Sequence, residues 1–213
     1  MTPKTPQAIA ALLEAYNRAY RQGAPLVSDS EYDDLVEKLR ALAPQHPYLQ
    51  AVEPEQFPAR QQVRHPTPML SIEKAYTREQ LQRFVDRVEK AAAALGIDKV
   101  TFRLTPKLDG LAGRDDGDRF VSRGNGQVGY EISSAFAKGV RPIGGRGRGV
   151  GEIVAVKSYF DANMAGSFEH PRNMVVGIVS SDTLNDKAQV ALNDGMVHFV
   201  PYSRINAATV DGA

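Results

Sequence analysis

An α+β fold, a helical hairpin followed by an antiparallel-sheet domain, is what the sequence predicts, and three patterns predict it. Apolar residues recur at helical spacing in two runs before residue 43. Pro44, Pro47, Pro54 and Pro58 then interrupt any regular helix. Beyond them, short β-branched and aromatic runs alternate with glycine-bearing turns, as strands and hairpins do. The division is expected near residue 63, with residues 1–62 forming the hairpin and its linker and residues 63–213 the larger domain.

Ile9, Leu12, Leu13, Tyr16 and Tyr20 make the stripe of the first helix, which Gly23 and Pro25 stop. Ser28 and Glu31 are spaced as a capping box, and Tyr32, Leu35, Val36, Leu39 and Leu42 form the stripe of the second. Asp29 and Asp33 fall at its start, where the helix dipole favours carboxylates whatever the protein does. Thr77 and Gln80 make another capping box, ahead of Leu81, Phe84, Val85, Val88 and Leu95 on one face and Gly96 as the stop. Val100 to Leu104 alternate as a half-buried strand. Gly113 to Asp118 read as a polar turn, Arg119 to Ser122 as the returning strand, and Gly124, Gly126 and Gly129 as a loop that lets backbone approach a ligand. Residues 143–149 are basic and glycine-rich, and a plain flexible loop is the favoured reading over a contact with DNA phosphates. Val150 to Val156 form a strand with one buried carboxylate, Glu152, which needs a partner such as a ligand hydroxyl or Arg123. A short helix over 157–163, a tight loop at His170 to Asn173 and a strand over Met196 to Tyr202 complete the chain.

The stretch with most chemistry is Thr105-Pro106-Lys107-Leu108-Asp109-Gly110, a lysine and a carboxylate at the end of a strand. A lysine there is a nucleophile only where burial or a nearby cation leaves some amine neutral; otherwise it is a surface lysine beside a turn.

Composition narrows the function classes. Lysine and arginine total 26 against 25 acidic residues among 213, so no overall basic field argues for nucleic acid. There is no cysteine, which removes disulfides, zinc-thiolate sites and thiol nucleophiles. No run approaches the roughly 20 apolar residues that span a bilayer, and the first residues lack an apolar signal core. A cytoplasmic protein without membrane partners is expected.

Six patches in order resemble the NAD-dependent DNA ligases: Asp29-Ser30-Glu31-Tyr32-Asp33, His65-Pro66-Thr67-Pro68-Met69-Leu70-Ser71-Ile72, Lys107-Leu108-Asp109-Gly110-Leu111-Ala112, Ser122-Arg123-Gly124-Asn125-Gly126-Gln127-Val128-Gly129, Gly151-Glu152-Ile153 and Pro171-Arg172-Asn173. The resemblance implies an ATP-grasp-like nucleotidyltransferase domain behind a helical nicotinamide-binding one. It implies that Lys107 is the covalent catalyst, attacking the adenylyl phosphorus of NAD with help from Mg2+, and that AMP passes later to the 5′ phosphate of nicked double-stranded DNA. It further implies that Asp29, Tyr32 and Asp33 hold the nicotinamide half, while Ser71, Ile72, Thr105, Leu108, Arg123 and Glu152 contact the adenylate.

The chain departs from the family in three places. Ala19-Tyr20 stands where a tyrosine-histidine pair is usual, and Thr105 where a glutamate reads the adenine. The two later lysine motifs and the DNA-gripping modules find no match, so the adenylation domain is expected to be C-terminally incomplete, as in one subunit of a split phage-type ligase. A non-catalytic NAD-binding protein on a degenerate ligase scaffold, or a DNA-end-binding module, remains the alternative.

Overall fold

The computed structural model describes residues 5–21, 26–50, 57, 60–206 and 208–211, with residues 20, 21, 29, 30, 50 and 208–211 described by backbone alone. Helix α1 (Pro6–Arg21) and helix α2 (Asp29–Leu42) form the hairpin. The expected capping box starts α2: the Glu31 amide donates to Ser28 Oγ at 3.3 Å, and the Ser28 amide to Glu31 Oε2 at 2.9 Å. Ile9, Ala10, Leu13 and Leu39 make a small core against Tyr32, Leu35 and Val36. Leu42, expected on that stripe, is half exposed because the helix ends there. Gly23 and Pro25, the expected stop of α1, lie outside the described residues. The proline-bearing stretch holds one helical turn, α3 (Pro47–Gln50), where none was expected. Proline at a first helical position gives up no hydrogen bond, so it opens the turn instead of preventing it.

Phe57 already belongs to the larger core, and Arg60 donates to Ser134 Oγ at 2.7 Å and to the Val179 carbonyl at 2.8 Å. Then come β1 (Gln62–Arg64) and α4 (Arg78–Ala94). The second capping box is also present, the Gln80 amide donating to Thr77 Oγ1 and the Thr77 amide to Gln80 Oε1, each at 3.2 Å. Gly96 ends the helix at φ +71°. Its stripe, however, is largely uncovered: Leu81, Phe84 and Leu95 are exposed.

The rest of the chain runs β2 (Thr101–Leu104), β3 (Leu111–Asp115), β4 (Phe120–Ser122), β5 (Val128–Tyr130), α5 (Ser134–Lys138), β6 (Arg141–Pro142), β7 (Gly149–Ala155), α6 (Lys157–Asn163), α7 (Pro171–Ser180), α8 (Asp186–Asn193), β8 (Val197–Pro201) and β9 (Ala208–Asp211). Five strands form the main sheet in the order β4-β3-β7-β8-β6, antiparallel except where β6 joins β8. Two further antiparallel pairs, β1 with β5 and β2 with β9, lie outside it.

Side chains alternate across this sheet, and that alternation separates core from site. Leu111, Ile153, Val197 and Phe199 enter a core shared with Phe120, Phe160, Met174, Val175, Ile178 and Val179. Ala112, Arg114, Val150 and Glu152 face the other way and line a pocket. Three sequence readings are corrected here. Gly113 to Asp115 continue the strand, so the turn is only residues 116–119. Residues 171–173 are not a loop; they open α7, with Pro171 at its start. The glycine-rich 143–149 segment is not a free loop. Its Arg146 donates through Nε to both oxygens of the fully buried Asp115 at 2.8 and 2.9 Å and lies 4.2 Å over the Phe136 ring. The Gly147 amide completes the ligation of that carboxylate at 2.9 Å, which is what a buried charge needs.

Gly113 and Gly151 face each other across β3 and β7. A Cβ at Gly113 would sit 2.7 Å from the Phe120 ring, and one at Gly151 2.4 Å from the Val200 carbonyl and 2.8 Å from the Phe199 ring. Gly151→Ala is therefore expected to cost about 1–3 kcal/mol by overpacking. Gly166→Ala, where a Cβ meets nothing within 4 Å, should stay within about 0.5 kcal/mol of the parent. Thermal denaturation of the pair checks this, and equal melting temperatures would contradict it.

Candidate functional site

The pocket is a cavity of about 740 Å³, within the range that takes a nucleotide-sized ligand. Its floor is the open face of β3 and β7, where register sets Ala112 opposite Glu152 and Arg114 opposite Val150. One wall is the strap Pro68 to Ile72, another the Thr105 to Leu108 segment leaving β2, and Arg123, Arg172 and Tyr202 close the remainder. Six of the residues singled out from the sequence thus share one cavity: Ile72, Thr105, Lys107, Leu108, Arg123 and Glu152. Ser71 joins them by accepting a hydrogen bond from Arg123 Nη1 at 3.4 Å. Lys107 is exposed at the mouth instead of buried, and its company there is guanidinium: Arg114, Arg123 and Arg172 line the same cavity.

The Arg123 loop is built to hold that guanidinium close. Gly124 takes φ +57°, and a Cβ there would lie 2.0 Å from the Val128 carbonyl. His65, buried, sets its Nε2 3.1 Å from both the Ser122 and the Arg123 carbonyls, so that nitrogen carries the proton and donates to both. Two donors remain unspent. Arg114 Nε and Arg123 Nε are buried and have no hydrogen-bond partner among the described residues. Buried donors without partners are costly, and a bound anion is one way to satisfy them.

Glu152 is only 7% exposed. Its partner within the chain is Tyr202 and not Arg123: Tyr202 Oη donates to Glu152 Oε2 at 2.5 Å. Burial pushes the Glu152 carboxyl above the usual glutamate range, while that hydrogen bond and the charges of Arg172, Lys107 and Arg123 pull it part of the way back. Tyr202 is pushed up in turn, by burial and by the carboxylate beside it. Tyr202, expected to end the last strand, lies just past it: β8 ends at Pro201 and the chain turns there into a 3-10 helix.

The residues expected on the nicotinamide side fall elsewhere. Asp33 accepts from Lys74 Nζ at 2.5 Å and from Tyr76 Oη at 2.9 Å, two partners that sequence reasoning missed. Burial lowers the Lys74 ammonium, but its hydrogen bonds to Asp33 and Tyr76 outweigh that and leave it raised. Tyr32 shares a 2.6 Å hydrogen bond with Tyr48, tying α2 to α3. The side chains of Asp29 and Tyr20 lie outside the described residues. Arg114 was also missed, because a turn was read where the strand continues; strand alternation from Ala112 would have found it. Asp109 faces Arg172, Oδ1 to Nη1, at 3.9 Å.

Comparison with known proteins finds matches to both parts of the chain. Residues 2–55 match the DNA ligase-like N-terminal NAD+-binding domain, and residues 58–146 the NAD-dependent DNA ligase adenylation domain. The chain is 59% identical over 201 residues to a DNA ligase of Desulfatibacillum aliphaticivorans, covering 94% of this chain and 32% of that protein. It is 42% identical over 200 residues to the DNA ligase of Desulfotalea psychrophila, covering 92% and 30%. It is 38% identical over 197 residues to that of Shewanella baltica, covering 91% and 30%. The chain belongs to the NAD-dependent DNA ligase family. It spans about a third of the length of the curated relatives it matches. Among the described residues, no helix is long and apolar enough to cross a membrane.

The raised Glu152 carboxyl has a consequence for stability against pH. Below the ordinary glutamate range the group is neutral in folded and unfolded chains alike and favours neither. As pH rises through the raised folded value, the folded chain must ionise a buried group, and the stability of the neutral form is lost. Glu152→Gln stays neutral throughout and still accepts from Tyr202. It should melt above the parent at about pH 7.5 and level with it at about pH 4. A variant melting below the parent at neutral pH contradicts this.

Proposed function

We propose that the pocket takes the adenylate half of NAD and that Lys107 Nζ attacks its adenylyl phosphorus. A phosphorus–nitrogen bond forms, the bond to the nicotinamide mononucleotide phosphate breaks with its electron pair leaving on that phosphate, and the amine proton passes to solvent. AMP is left on Lys107. One observation carries this reading: one cavity is lined by a lysine, a buried carboxylate and two arginines whose buried Nε atoms have no partner among the described residues. Arg114 and Arg123 would meet the phosphate oxygens, where preorganised cations stabilise developing charge. Glu152 would accept from a ribose hydroxyl, and Leu70 and Ile72, 84% and 68% exposed, would be covered by the base. Thr105 stands at the adenine edge, and Leu108 packs beneath. Asp29, Tyr32 and Asp33 would hold the nicotinamide half.

A magnesium ion would arrive on the substrate's phosphates, because no group of three acidic or histidine side chains suited to a metal occurs among the described residues. It would neutralise phosphate charge. In the longer assembly that the relatives' lengths suggest, AMP would pass to the 5′ phosphate of nicked double-stranded DNA, with a further segment or second subunit supplying the later lysine motifs. Such an enzyme would work in the cytoplasm, on residues 1–62 for the nicotinamide side and 63–213 for adenylation.

Incubation with NAD labelled in the adenylate tests the reading. The parent should gain one acid-labile AMP; Lys107→Ala and Lys107→Arg should gain none. Arg123→Ala should label about a hundredfold more slowly, in the range lost with one preorganised donor. Equal labelling of Lys107→Arg and parent would overturn the assignment.

A further inference from the structure

Among the described residues, one contact between the two parts of the chain falls on Asp33. Lys74 Nζ reaches one carboxylate oxygen at 2.5 Å and Tyr76 Oη the other at 2.9 Å, across 41 and 43 residues of sequence. Both come from the strap 71–77, which is fixed at each end. At the pocket end, Ser71 accepts from Arg123 and Ile72 lines the cavity. At the other, Gln80 Oε1 accepts from the Tyr76 amide at 2.6 Å and the Thr77 amide at 3.2 Å, and Glu73 pairs with Arg87 of α4 at 2.5 Å. The strap is therefore a short link, anchored at both ends, between Arg123 in the pocket and Asp33 on α2. Lys74 lies only two residues, roughly 7 Å of extended chain, past the cavity wall at Ile72.

We propose that Lys74 and Tyr76 are positioning residues: they clasp Asp33 and so hold the α1–α2 hairpin beside the mouth of the adenylate pocket, in the arrangement a dinucleotide must span. This rests on the proposed nicotinamide role of α2. The clasp acts on the molecule as a whole. An exposed ion pair contributes little by itself, but one that removes the freedom of a flexible junction spares a bridging ligand the entropy of closing it. Its effect should appear for a ligand that bridges the two sites and vanish for one that fills the pocket alone.

The test uses the full chain, with NAD as the bridging probe and AMP as the pocket-only probe, by calorimetry. Lys74→Met should weaken NAD about three- to tenfold and leave AMP within about twofold, with Lys74→Arg restoring NAD affinity. Tyr76→Phe should show a smaller loss in the same direction. Because the chain has no cysteine, spin labels on Glu14→Cys and Lys187→Cys, both exposed, report hairpin placement without background. The distance distribution should broaden with Lys74→Met and not with Lys74→Arg. NAD affinity that is unchanged or tighter in Lys74→Met, or an equal loss of AMP, would overturn the proposal. A parent that fails to bind NAD sinks the nicotinamide role and not the clasp, which the label distances then decide: a distribution unmoved by Lys74→Met overturns it.

Discussion

The register of β3 on β7 is the constraint from which the rest of the site follows. Pairing Leu111 with Ile153 and Ala112 with Glu152 sends one set of side chains into the aromatic core and the other into the pocket. A slip of one residue would exchange them, putting Glu152 and Arg114 among Phe120, Phe160 and Phe199 at a cost no partner there could offset. The facing glycines lock that register, since each leaves the space an aromatic ring occupies. Asp115 locks it again from beyond: it can ligate Arg146 and the Gly147 amide only when β3 ends beside the start of β7.

The same constraint makes the site electrostatically tense. A carboxylate that burial disfavours sits across from an alanine, held by a tyrosine hydroxyl, while lysine and guanidinium groups crowd the rim with two donors unspent. Each of these is unfavourable in the free protein and would be relieved by a ligand with hydroxyls at one end and an anion at the other. Stability given up where function is gained is the ordinary pattern of a binding site.

Much of this was legible in sequence. Both capping boxes announced their helices because the Ser28–Glu31 and Thr77–Gln80 spacings encode a local hydrogen-bond exchange that needs no tertiary partner. Lys107, Arg123 and Glu152 were found as separate motifs, and the fold brings them together. What sequence hid depended on tertiary context. α7 buries only Met174, Val175, Ile178 and Val179, but Val176 and Gly177 beside them are apolar too, so the segment shows little polar contrast from which to read a helical period. Gly113-Arg114-Asp115 looks like a turn because its glycine and charges are turn residues; only the Phe120 ring and the Arg146 guanidinium explain them in a strand. Lys74 and Tyr76 belong to no secondary element, and only their meeting with Asp33 marks them.

If the open face of β3 and β7 is the adenylate floor, a crystal structure of the chain grown after incubation with NAD must show it. The account predicts a ribose within hydrogen-bonding distance of Glu152, the base against Leu70 and Ile72, and the phosphorus bonded to Lys107 Nζ with Arg114 or Arg123 on its oxygens. A nucleotide bound elsewhere, or an unmodified Lys107 turned out of a pocket that holds AMP, would contradict it.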